Sequence, residues 1–206
     1  LLTCHAVCSD GFAFPFAFAL LTDKKAATYL TVFRELDRKA VLLCGKTMFS
    51  RDDLVVSCDF EKGILRAVEA MNCSVRCCHF HFNQSLWRFM HKGGMSKRYI
   101  SDNRFCSRAR ALMVLPLFPK NEIVRVFEKI DVLIPPEDND IKRLHVYFET
   151  VWIRSFPIDC WCKYDSLFRT NNVSESFHPT LSRRTLNLHP EFFSFLVFVR
   201  RLINEA

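Results

Sequence analysis

The sequence predicts an α/β protein whose sheet is followed by an all-helical insertion. Over residues 1–92, short β-branched or aromatic runs alternate with segments of helical periodicity. Residues 93–168 then show helical periodicity alone, punctuated by Pro116, Pro119, Pro135 and Pro136. Residues 169–206 end in an apolar helix that starts near Pro190. The expected organisation is therefore an α/β part (1–92), a helical insertion (93–168) and a closing helical segment (169–206).

Each element has a local reason. Leu1 to Cys8 (LLTCHAVC) reads as a buried strand, and Ser9-Asp10-Gly11 as a tight turn. Phe12 to Leu21, alternating aromatic and small residues, is the partner strand of a hairpin. Asp23 can cap a helix over Lys24 to Lys39, where Ala26, Tyr29, Leu30, Val32, Phe33 and Leu36 recur at helical spacing. Leu54 to Cys58 is a short β-branched run, and Glu61 to Asn72 is amphipathic through Ile64, Leu65, Val68 and Met71. Ser74 to Phe80 reads as a strand and His81 to His91 as a helix. Further helices are expected over Asn103 to Leu115, Glu122 to Leu133 and Ile141 to Ile153.

Composition narrows the classes. In 206 residues, half are hydrophobic and a quarter charged, which is enough for a real core. The formal net charge is +7, with an excess of Lys and Arg that suits a polyanionic partner. The ten cysteines are irregularly spaced among apolar residues, unlike a small disulfide scaffold, and read as mostly buried free thiols in a reducing compartment. Gly11 to Leu21 and Phe192 to Val199 are too short to cross a membrane. No Walker loop, dinucleotide fingerprint or serine-nucleophile elbow is present. The chain begins at Leu1 and reads as an excerpt of something longer.

Asp59 stands at the carboxyl end of a buried run just before a helix, where open α/β sheets place ligand-binding groups. The competing reading is a helix N-cap. The run CDFEKGILRAVEAMNCSVRCCHFHFNQSLWR (Cys58 to Arg88) resembles the signature segment of Mutator-like (MULE) transposases. That family shows an aspartate, a helix, then a strand leading into Cys-x-x-His, a glutamine and a tryptophan. Here these fall on Asp59, Cys78, His81, Gln84 and Trp87. Upstream, the hairpin followed by LLTDKKAATY is similar to the family. Downstream, RTNNVSESFH (Arg169 to His178) resembles the stretch carrying its third acidic residue, which falls on Glu175 after Asn171 and Asn172.

The resemblance implies an incomplete ribonuclease-H-like mixed sheet, lacking its first strand, with the helical insertion before the last catalytic segment. It implies metal-dependent cleavage and strand transfer on double-stranded DNA, both transposon ends and target. Asp59 and Glu175 would be catalytic ligands of two Mg²⁺ or Mn²⁺ ions. It also implies a nuclear location and is compatible with a homo-oligomer. Without the resemblance, Glu175 reads as a surface residue favoured near a helix start. Cys78 and His81 are zinc donor types, but no second pair with regular spacing accompanies them, so zinc is not expected. Cys160 and Cys162 would count only if the fold brings them near. The bland alternative packs Cys78 in the core and lets His81 orient its helix.

Arg104, Arg108 and Arg110, with Arg183 and Arg184, are candidates for phosphate contact; a solvated helix face is the competing reading. Trp87, Trp152 and Trp161 read as core. The family's first catalytic aspartate lies upstream of the hairpin. Asp10 is no substitute, because its turn lies at the far end of a ribonuclease-H sheet from the metal site. Three functional readings follow: a transposase core, inactive as given; a domesticated DNA-binding or regulatory protein without catalysis; or a decayed copy. A partner-binding protein using its apolar last helix is a fourth.

Overall fold

In the computed structural model of the chain, residues 1–8, 12–49, 54–132, 137–166, 169–170, 183 and 191–205 are described, with 202–205 described by their backbone alone. The turn expected at Ser9-Asp10-Gly11 lies outside them, as do Asn171, Asn172, Glu175 and Arg184. The fold is mixed α/β. Strands β1 (Leu2–Val7) and β2 (Ala13–Ala19) form an antiparallel hairpin, which the Cys8 N–H closes by donating to the Phe12 carbonyl at 2.8 Å. The register shifts between Cys4 and His5, opposite Ala17 and Pro15. Proline has no N–H to give a ladder, so an irregular position is where a strand tolerates it.

Helix α1 (Ala26–Cys44) follows a turn in which the Asp23 carboxylate accepts the Lys25 N–H (3.0 Å) and the Thr28 hydroxyl (2.5 Å). These bonds hold that exposed carboxyl at about 2, below its ordinary value. Gly45, at φ 67°, ends the helix and returns its N–H to the Val41 carbonyl. Strand β3 (Val55–Cys58), helix α2 (Lys62–Ala70) and strand β4 (Ser74–Cys77) form a parallel crossover unit, with Cys58 registered against Cys77. The sequence reading carries this last strand to Phe80. The chain instead turns at Cys78, and α3 (His79–Lys92) has already begun.

Among the described residues the two sheets are separate, each of two strands. They nevertheless share one core. Leu2 of β1, Val56 of β3 and Val75 of β4 pack on the cluster made by Tyr29 and Phe33 of α1, Phe49, and Ala67 and Val68 of α2. The Asp37 carboxylate accepts the N–H groups of Met48 and Phe49, tying the loop after α1 back to that helix. Tyr29 donates to Glu61, and Lys24 pairs with the same carboxylate at 3.1 Å, fixing the start of α1 against the start of α2.

Gly63 is the close-packing point of those two helices. A Cβ there would fall inside contact distance of the Lys24 carbonyl oxygen and 3.0 Å from the Tyr29 ring. Alanine ordinarily gains up to about 1 kcal/mol over glycine inside a helix. Here the backbone oxygen cannot move aside as a flexible side chain would, and overpacking costs about 1–3 kcal/mol. Gly63→Ala is therefore expected to lower the urea midpoint of the α/β part, followed by circular dichroism. A raised midpoint would show that α1 and α2 do not pack this closely.

The helical part comprises α3, α4 (Ser96–Ser101), α5 (Asn103–Val114), α6 (Ile123–Val132), α7 (Asn139–Phe148) with a π-helical extension to Ile153, and the short α8 (Ile158–Trp161). Helix α3 contributes Phe82, Leu86 and Met90 to its core, beside Phe105, Phe148, Trp152 and Trp161. Asp102 caps α5 and Asp138 caps α7. Arg98 of α4 holds both caps, at 3.0 Å from Asp102 and 2.6 Å from Asp138, while its guanidinium lies 5.0 Å from the Phe105 ring centre. One arginine of α4 thus ties two helix starts together. A last helix, α9 (Phe192–Glu205), leaves Phe192, Phe193 and Val197 exposed. No helix among the described residues is long and apolar enough to cross a membrane.

Candidate functional site at the carboxyl ends of β3 and β4

Because β3 and β4 are parallel and end in register at Cys58 and Cys77, the next residues of both chains emerge side by side. Asp59 leaves β3 and Cys78 leaves β4, with the Cys78 N–H donating to the Cys58 carbonyl at 3.1 Å. Helix α3 starts at His79, so His81 lies within its first turn and reaches back: its Nδ1 stands 3.0 Å from an Asp59 carboxylate oxygen. The Asp59 side chain is 48% exposed and that of His81 26%. The N-cap position of α2 is Glu61, and no side chain caps that helix. The helix-cap alternative for Asp59 is therefore not realised.

The rest of the motif separates by role. Cys78 is fully buried at the N-cap position of α3. His79 is engaged by the Met113 carbonyl of α5 at 3.0 Å and by Asn83 at 3.3 Å. Burial lowers its pKa first, so the ring is neutral at pH 7. Gln84 is half-buried on α3. Trp152 and Trp161 are core residues as read from the sequence. Trp87 is not: it is 36% exposed and packs edge-on against Tyr99.

The chain returns here just ahead of the Arg169 to His178 run. The His79 N–H donates to the Arg169 carbonyl at 2.9 Å, placing that residue at the start of α3. Asn171, Asn172 and Glu175 lie beyond it, outside the described residues. Among the described residues no three His, Cys, Asp or Glu side chains stand together as a metal-holding group. Asp59 supplies one hard oxygen donor at a solvent-accessible strand end, which suits Mg²⁺ or Mn²⁺ in kind.

The sequence reading missed two features beneath the site. Lys163 is 1% exposed, and its amine has no hydrogen-bond partner among the described residues. It lies near Cys77, Cys78 and Cys58, and burial lowers its pKa. Its backbone N–H donates to the Pro116 carbonyl at 2.6 Å, and Arg76 of β4 donates to the Cys162 and Asp159 carbonyls. The fold also brings Cys160 near Cys58 and Cys77. The cysteines are all free, but only Cys77, Cys78, Cys160 and Cys162 are buried, and Cys8 and Cys44 are exposed, which corrects the expectation of a mostly buried set.

Arg104, Arg108 and Arg110 do not converge on Asp59. Arg104 and Arg108 line an open cleft of about 1040 Å³ on the helical part, together with Asp138, Asp140 and Glu137. Arg110 is exposed and donates to the Tyr99 hydroxyl at 3.3 Å. Arg183 is described alone, between residues outside the described set. Comparison with known protein families, with curated protein sequences and with solved structures gives no match.

Proposed function

We propose that this chain is part of the ribonuclease-H-like core of a Mutator-like DNA transposase and that Asp59 is one of its metal-binding carboxylates. The observation that carries the reading is the position of Asp59: it leaves the carboxyl end of β3 against His81 of the Cys78-x-x-His81 motif, where the Arg169 backbone also returns. A six-residue stretch spans at most about 20 Å. The chain leading to Glu175 thus sets out within reach of Asp59.

The element order adds support. An antiparallel hairpin, a helix and a parallel β-α-β unit match what the resemblance implies once its first strand is taken away. The two sheets share a core yet do not pair with each other. A strand seated between β1 and β3 would join them into one sheet and would carry the family's first aspartate.

When bound, two divalent ions would activate the attacking oxygen and stabilise the leaving one. The residues of this chain hold and orient: Asp59 offers the carboxylate, and His81 Nδ1 stands 3.0 Å from one of its oxygens. Glu175 is the proposed second ligand. Double-stranded DNA is the proposed substrate, and the +7 balance suits it.

The test is a strand-cleavage assay on labelled duplex DNA with Mg²⁺ or Mn²⁺. It compares the 206-residue chain with a protein lengthened upstream by its natural sequence. The expected result is divalent-dependent cleavage by the longer protein only, abolished by Asp59→Asn. Cleavage that survives this substitution would remove Asp59 from the metal site. A folded longer protein that neither cleaves nor binds Mn²⁺ would instead favour the non-catalytic DNA-binding reading.

A further inference from the structure

The ends of β3 and β4 hold a pair of thiols that the proposed chemistry does not use. Cys58 and Cys77 are register partners on adjacent parallel strands, so their side chains leave the same face of the pair. Neighbouring strands lie about 4.8 Å apart, inside the range of about 4.4–6.8 Å that disulfides span between Cα atoms. The strands need not part to accommodate the bond. Cys58 is half-buried, within reach of a small oxidant, whereas Cys77 is fully buried behind it.

We propose that Cys58 and Cys77 form an oxidative cross-link site, a dithiol that a peroxide converts to a disulfide. The Cys58 sulfur attacks the peroxide O–O bond, taking one oxygen as a sulfenic acid and releasing water. The Cys77 sulfur then attacks the Cys58 sulfur. The S–S bond forms as the S–O bond breaks, and the departing hydroxyl leaves as water with the Cys77 thiol proton. The two sulfurs give up two electrons in all, and hydrogen peroxide is reduced to two waters. The Cys77 thiol also donates weakly to the Asp59 carbonyl, at 4.0 Å. Oxidation removes that donor, so the state of the pair is felt at the strand end that presents Asp59. The cross-link does not depend on Asp59 holding a metal.

The test uses the full, unsubstituted chain. It is treated with hydrogen peroxide, its free thiols are capped with iodoacetamide, and it is digested with trypsin without reductant for mass spectrometry. The expected result is joint loss of the alkylated forms of Cys58 and Cys77 and the appearance of their linked peptides, reversed by dithiothreitol. Cys77 and Cys78 share one tryptic peptide, so fragmentation must place the bond on Cys77. Cys160→Ser should leave the link intact. A bond mapped to Cys78 or Cys160, or full recovery of alkylated Cys58 and Cys77 while the exposed Cys44 is oxidised, would overturn the proposal.

Discussion

Phe82→Ala is expected to cost about 3–5 kcal/mol, the range for deleting a large buried aromatic. The ring is fully buried on α3 and lies 4.5 Å from the Trp152 ring centre and 5.5 Å from that of Trp161, with Phe148 edge-on at 5.9 Å. Its removal leaves a void walled by three large side chains that α7, its π-helical extension and α8 hold from different directions. The void cannot collapse without moving a helix. The lost ring pairs add about 0.5–1.5 kcal/mol each beyond area. Against a total stability of about 5–15 kcal/mol for a domain, this is a large share. The measurement is urea unfolding followed by tryptophan fluorescence, since Trp152 and Trp161 both leave the core when this cluster opens. Phe80→Ala is the control. Two residues earlier on the same helix, Phe80 is 49% exposed, and its loss should shift stability by no more than about 0.5 kcal/mol. Equal midpoints for the two variants would mean that α3 does not bury the Phe82 face.

That contrast illustrates what was legible in the sequence. Ile64 and Val68 recur at helical spacing and do line the inner face of α2. Tyr29, Phe33 and Leu36 do the same for α1. The run His79-Phe80-His81-Phe82 alternates as a strand would, so periodicity alone carries β4 too far. What ends the strand is tertiary. The Cys78 N–H pairs with the Cys58 carbonyl, and the His79 N–H is taken by Arg169, many positions away. Helix α4 escaped because SKRYIS has no apolar spacing; Arg98 holds it through carboxylates on other helices. The short α8 escaped because four residues make no period.

The candidate site was legible in part and for an identifiable reason. Asp59 could be placed because a carboxylate after a β-branched run is a local signal. Its partner His81 could be named only through the motif. The 3.0 Å contact arises from the flush register of Cys58 with Cys77, which no local pattern encodes. Lys163 gave no signal, since a lysine beside cysteine and tyrosine reads as surface. It is buried, and its backbone N–H donates to the carbonyl of Pro116, in a 3-10 turn far away along the chain.

Supplying a strand between β1 and β3 is expected to stabilise the α/β part by several hydrogen bonds, each worth about 0.5–1.5 kcal/mol net. Among the described residues every strand belongs to a two-stranded sheet, so each leaves one row of backbone groups without a ladder partner there. Two-stranded sheets are marginal in water on their own. Here they persist because Leu2, Val56 and Val75 share the cluster around Phe33 and Val68. A new strand would keep that core and add ladder bonds on both sides. The amides of β1 and β3 that face away from their present partners should therefore gain the most. In the chain lengthened upstream by its natural sequence, their hydrogen exchange should slow by about tenfold for each 1.4 kcal/mol gained. The amides of α5 and α7, which lie in the other core, should change little. Were the outward amides of β1 and β3 already protected in the 206-residue chain, or no slower in the longer one, no strand would belong between them, and the ribonuclease-H-like reading would lose its structural support.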